Sequence, residues 1–70
     1  MGTVYSNLVR DRGTTIFIDV DEDIQGERML VITDARMTRD KKDCQVIRIS
    51  AESFASFLQA VNGAGKEMMS

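Results

Sequence analysis

Residues 14–26 read TTIFIDVDEDIQG, and the way this stretch is divided decides the fold. Its first half is rich in β-branched and aromatic residues and alternates, with Ile16, Ile18 and Val20 on one side and Thr15, Phe17 and Asp19 on the other. Alternation with that composition predicts a strand. The second half admits two readings, a metal loop or a strand end running into a turn. Asp19, Asp21 and Asp23 have the D-x-D-x-D spacing that presents oxygen ligands in an EF-hand. The motif then breaks: the turn glycine's place holds Ile24, and the bidentate glutamate's place falls on Leu30. An acidic strand end followed by a hairpin turn is the better reading, with Gly26 free to take the positive φ such turns require. No metal site is expected.

Working outward, residues 27–36 form the next strand, with Leu30 and Ile32 on one face and Met29, Val31 and Thr33 on the other. Residues 37–43 are polar and predict a second hairpin loop, and residues 44–49 return as a strand with Ile47 and Ile49 inward and Val46 and Arg48 outward. A leading strand is expected over 3–10, ended by Asp11-Arg12-Gly13. After Ser50, a good N-cap, Phe54, Phe57, Leu58 and Val61 recur at the spacing of an amphipathic helix. Gly63 and Gly65 are expected to stop it, giving a helix over 51–62. The fold class is therefore α+β: a four-stranded antiparallel meander followed by one C-terminal helix. One domain over 1–63 and a loose tail over 64–70 are expected. The aromatic stripe of the helix should cover the sheet face bearing Ile16, Ile18, Leu30, Ile32, Ile47 and Ile49.

A chain of 70 residues can bury only a marginal core of its own. Cys44 is the sole cysteine and there is no histidine, so neither an internal disulfide nor a zinc site can supplement that core. Association remains, and with 43% hydrophobic residues a homodimer is the simplest expectation. Cys44 reads as a small, half-buried strand residue. The same residue inventory, together with the lack of a glycine-rich phosphate loop, argues against an enzyme, and no cofactor is expected. No N-terminal basic stretch precedes an apolar run, and no run is long enough to span a membrane, so a cytoplasmic protein without a membrane partner is expected.

One helix can cover one face of the sheet. The other would carry Phe17, Asp19, Met29, Val31, Thr33, Val46 and Arg48, and Tyr5, Asn7 and Val9 of the first strand could join it. A solvated face should be mostly polar, whereas this one mixes aromatic, apolar and cationic groups and should touch something. Two occupants fit: a dimer partner, or unstacked bases lying on aromatics while arginines and lysines hold phosphates. The net charge of −2 opposes generic polyanion binding. Its distribution is uneven, since residues 21–27 hold four acids and no base while residues 28–48 hold six bases against three acids.

The order of short motifs resembles a known family. V-Y-S-x-x-V-R from Val4 to Arg10, T-x-F-x-D-V from Thr15 to Val20, a turn with Gly26, M-L-V-I-T-D over 29–34 and I-R-I-S-x-E-x-F-x-x-F over 47–57 are similar to the bacterial purine-rich-element-binding (Pur-alpha-like) proteins. The similarity covers about residues 4–61. It implies a ββββα PUR or Whirly-like repeat, pairing of two repeats into an intertwined homodimer with exchanged helices, and binding of single-stranded DNA or RNA on the sheet. It also implies that Phe17 stacks on a base and that Arg10 and Arg28 meet phosphate. Val31 departs from the family, which commonly has a basic residue there, and so does the acidic run from Asp21 to Asp23. The full candidate set is Phe17 and Tyr5 for stacking, with Arg10, Arg28, Arg36, Arg39, Lys41, Lys42 and Arg48 for phosphate, and the expected role is in transcription or RNA regulation. The competing class is a protein-interaction dimer that keeps the fold with little nucleic-acid affinity.

Overall fold

The computed structural model describes residues 2–38 and 40–70. They form β1 (Gly2–Asp11), β2 (Thr14–Glu22), β3 (Arg28–Met37), β4 (Lys42–Ser50) and α1 (Ala51–Met69). The strands pair antiparallel in the order β1-β2-β3-β4, the meander the sequence predicts. Both ends of β4 run further than expected, so that Lys42 and Asp43 belong to the sheet rather than to the loop. No helix among the described residues is long and apolar enough to cross a membrane.

The first turn sets the register. Arg12 and Gly13 take φ of 47° and 82°, the positive pair of a two-residue type I′ turn whose twist matches that of the flanking strands. Asp11 therefore faces Thr14, Val9 faces Ile16 and Leu8 faces Phe17. Residues directly opposed across a ladder share a sheet face. One face consequently stacks Asn7, Ile18, Ile32 and Ile47 in one row and Tyr5, Val20, Leu30 and Ile49 in the next. This aliphatic face is the inward face expected from the sequence, with one correction. Tyr5, Asn7 and Val9 belong to it, and Ser6, Leu8 and Arg10 accompany Phe17 on the other side. β1 carries apolar residues on both faces, so its alternation cannot choose between them; the two-residue turn does. A bulge between Thr3 and Tyr5 absorbs the extra residue, Val4.

The helix departs from expectation twice. It begins after Ser50, which has an extended backbone but no side-chain capping bond, and it runs through both glycines to Met69. Gly63 and Gly65 are not among the residues with positive φ, so neither adopts the left-handed turn that would end the helix. Residues 64–69, expected to be loose, are the last turns of α1. Glu52 in the first turn and Lys66 in the last complement its dipole. Its stripe also fails to roof the sheet. None of its 19 residues is buried, and Phe54, Leu58 and Val61 remain 41–48% exposed. The first turns alone meet the aliphatic face, where Phe54 and Ala51 border an open apolar cleft with Val20, Leu30 and Ile49.

The result is an extended molecule. Its radius of gyration is 14.1 Å, against about 11 Å for a compact chain of this length. Its accessible surface is 6108 Å², against about 4,400 Å² for a folded monomer of this mass. Among the described residues, Val31 and Thr14 are the buried side chains. An exposed helical glycine costs about 1 kcal/mol relative to alanine, and the space a Cβ would take at Gly63 is open. Gly63 lies opposite the apolar stripe. Gly63→Ala should therefore stabilise the fold by about 1 kcal/mol, read as a rise of several degrees in Tm.

Candidate nucleic-acid interface

The register assembles the second face from every strand. Three successive rows hold Arg10, Thr15, Ala35 and Cys44, then Leu8, Phe17, Thr33 and Val46, then Ser6, Asp19, Val31 and Arg48. Phe17 lies half-buried on the interior strand β2, beside Leu8 and Thr33. Arg10 and Arg48 stand on the two edge strands, which lie three strand spacings or roughly 14 Å apart, and the two residues are two rows apart along the strand direction. Lys42, paired with Met37, carries the same face toward the β3–β4 hairpin. This mixed face thus sets an aromatic ring between cations at both edges. Val31, at its middle, is only 8% exposed, and it separates Asp19 from Arg48. Cys44, expected half-buried, is exposed here.

Of the residues selected from the sequence, Arg10, Phe17, Lys42 and Arg48 come together on this face. Tyr5, Arg28 and Arg36 do not. Tyr5 pairs with Val20 on the aliphatic face. Arg28 is opposite Glu22 and forms an ion pair with it, Nε to Oε2 at 3.1 Å. Arg36 Nε donates to Thr14 Oγ1 at 3.3 Å, with Asp43 next to it across the ladder. Lys41 closes the β3–β4 loop, its carbonyl accepting from Thr38 N at 2.8 Å and Thr38 Oγ1 at 3.2 Å. Arg39 lies outside the described residues. Leu8, which flanks Phe17, escapes the sequence reading because the faces of β1 are exchanged there; the Arg12-Gly13 turn is the signal that places it.

The acidic stretch resolves into strand-end and turn chemistry. Ser6 Oγ donates to Asp19 Oδ1, and Thr3 Oγ1 donates to Asp21 Oδ1 at 3.0 Å, each across the β1–β2 ladder. Asp23 organises the β2–β3 turn. Its Oδ1 accepts from the backbone N–H of Gln25 and of Glu27, both at 2.9 Å, while its carbonyl accepts from Gly26 N at 3.0 Å. Gly26 takes φ of 83° to close the turn. A short carboxylate that satisfies two turn amides is the usual reason for aspartate in such a loop. Among the described residues no group of three or more acids, cysteines or histidines is placed to hold a metal ion.

No protein-family model matches this chain, and no curated protein is significantly similar to it.

Hydrogen bonds to a charged group contribute about 1.5–3 kcal/mol each at most, and less when exposed. Asp23→Ala should lower stability by about 1–2 kcal/mol in denaturant titration, whereas calcium or EDTA should leave the wild-type Tm where it is. A rise in Tm with calcium that disappears in Asp23→Ala would restore the metal-loop reading.

Proposed function

We propose that the chain is a homodimer that binds single-stranded DNA or RNA on the mixed face, in the manner the resemblance to Pur-alpha-like proteins implies. The observation that carries this reading is the composition of that face: Phe17 at its centre, Arg10 and Arg48 at its edges, and Lys42 toward the hairpin. An unpaired base presents a π-face to an aromatic ring whatever its identity, and cations at both edges can follow the backbone it hangs from. A duplex offers no such surface, because its bases are stacked on one another. No acid–base pair or activated nucleophile accompanies the ring, and the proposal is for binding without catalysis.

The dimer rests on area. The surplus of accessible surface over a compact chain is roughly 1,700 Å² per protomer, which doubled falls in the range of obligate homodimer interfaces. The aliphatic face and the open helix stripe are the natural partners: the helix of one protomer would roof the sheet of the other, giving the intertwined arrangement. The mixed face is then left free. A cytoplasmic setting agrees with an exposed, unpaired Cys44.

A competing reading is a protein-interaction dimer with little affinity for nucleic acid. It is favoured by Asp19 on the mixed face, by Val31 where a cation would serve better, and by the net charge of −2. Two measurements decide. In light scattering the purified chain should have twice the mass of one protomer, and its Tm should rise with protein concentration as folding and association are coupled. A folded monomer at micromolar concentration would overturn the dimer. Labelled single-stranded oligonucleotides should bind with a constant that falls steeply with salt. Phe17→Ala should weaken that binding by about 1–3 kcal/mol with the dimer retained; loss of the dimer instead would assign Phe17 to packing. A stable dimer that ignores oligonucleotides at low salt would select the competing reading.

A further inference from the structure

The meander separates charge by end. It places the β1–β2 and β3–β4 turns together at one end of the sheet, and the β2–β3 turn and the start of α1 at the other. Among the described residues, the first end holds Arg10, Arg12, Arg36, Lys41 and Lys42 against Asp11, Asp40 and Asp43. The second holds Asp21, Glu22, Asp23, Glu27 and Glu52 against Arg28 alone. Roughly 20–30 Å separates them at about 3.3 Å per residue, the lower figure between the rows of Arg10 and Asp21 and the upper between the turns themselves, about two to three Debye lengths at 0.1 M salt. A polyanion meeting this sheet therefore encounters two separate fields, and only the hairpin end attracts it. The one ion pair among the described residues, Glu22 with Arg28, is at the acidic end. The hairpin-end cations are not neutralised that way.

Arg12 stands out at that end. It is the one residue other than glycine with positive φ among the described residues, at 47°. The first position of a type I′ turn favours asparagine, aspartate or glycine, and a long side chain is disfavoured there. Arg12 is exposed, and no hydrogen bond or ion pair of its side chain within the described fold offsets that conformation. The turn would be better made without it. A residue unfavourable to its own backbone and idle in the fold points to a contact outside the fold.

We infer that Arg12 binds phosphate of the single strand, and that with Arg10 on one hairpin and Lys41 and Lys42 on the other it makes the hairpin end the phosphate grip. The single strand then crosses the β-strands near the turns, and the acidic end stays clear of it. This rests on the single-strand-binding reading above. It adds the direction of the ligand and a binding residue outside the sheet rows.

Arg12→Asn separates charge from folding, because asparagine suits the turn better than arginine. The full-length variant should melt at or above the wild-type temperature. In anisotropy titrations of a labelled single strand of about 12 nucleotides, within the usual site size, it should bind about fivefold more weakly at roughly 0.1 M salt. The slope of log K against log salt should fall in magnitude by about 0.7 for each phosphate no longer neutralised. Arg12→Lys should keep most of the affinity. Glu27→Gln at the far end should change affinity less than about twofold at the same salt, being screened. Wild-type affinity and slope in Arg12→Asn would overturn the assignment, as would an effect of Glu27→Gln equal to that of Arg12→Asn. Failure of the wild-type protein to bind any single strand would overturn the parent reading and this one with it, a result distinct from a silent variant.

Discussion

A four-stranded sheet with apolar side chains on both faces needs two covers, and this chain carries one helix whose first turns alone meet one of them. That shortage governs the rest of the structure. Removing apolar surface from water contributes about 25 cal/mol per Å², so the exposed Tyr5, Val9, Ile47, Phe54, Leu58 and Val61 represent stabilisation that the isolated chain forgoes. The ladder hydrogen bonds hold the strands together, but each contributes modestly once water is counted as the alternative partner. Association is one way for a chain of this size without disulfide or metal to find the missing burial. The proposed partner is a second copy because the two open surfaces, the aliphatic face and the helix stripe, are complementary to each other and occur on the same chain.

Asp34 adds a polar counterpart to that apolar argument. It lies on the aliphatic face between Ile16 and Gln45, with Oδ1 buried and no hydrogen-bond partner. A buried acceptor left unmet costs about 1–3 kcal/mol. The sheet is thus imperfectly satisfied in hydrogen bonding as well as in packing. The mixed face differs in kind. Its acids Asp19 and Asp21 are already engaged by Ser6 and Thr3, and its cations Arg10, Arg48 and Lys42 form no ion pair among the described residues.

The strands and the start of the helix are legible in the sequence because period-two alternation and the 54, 57, 58, 61 spacing are local properties of the chain. Pattern alone puts Ile18, Ile32 and Ile47 on one face, and the register agrees. β1 is not legible in this way. With Val4 and Leu8 on one face and Tyr5 and Val9 on the other, its hydrophobicity is symmetric, and its faces follow from the length of the turn at Arg12-Gly13. The helix end escapes for a different reason. Glycine ends a helix through its conformation, and Gly65 sits in line with Phe54, Leu58 and Val61, followed by Met68, so the apolar stripe continues across it. Whether the helix roofs its own sheet is not a local property at all: it depends on the path of the chain after Ser50, which no residue pattern encodes. The placement of the candidate residues follows the same rule, Tyr5 lying on the aliphatic face and Leu8 beside Phe17. The place of Arg28 is not a local property either, since its pairing with Glu22 depends on the length of the β2–β3 turn.

A division of labour between the faces follows from what each would cost if exchanged. Nucleic acid laid on the aliphatic face would bring phosphate charge toward rows of isoleucine, leucine and valine, with Arg28 already bound to Glu22 and Arg36 flanked by Asp43. Desolvating phosphate without paired cations is costly. A helix laid on the mixed face would have to desolvate Arg10, Arg48 and Lys42, and α1 offers no row of acids to meet them, Glu52 and Glu67 being its only carboxylates. Each surface is therefore better matched to the occupant proposed for it than to the other. The same logic extends along the strands, where the acidic β2–β3 end repels phosphate and the hairpin end draws it. Face and end together leave one quadrant of the sheet, around Phe17, Arg10 and Lys42, where aromatic surface and a surplus of positive charge coincide.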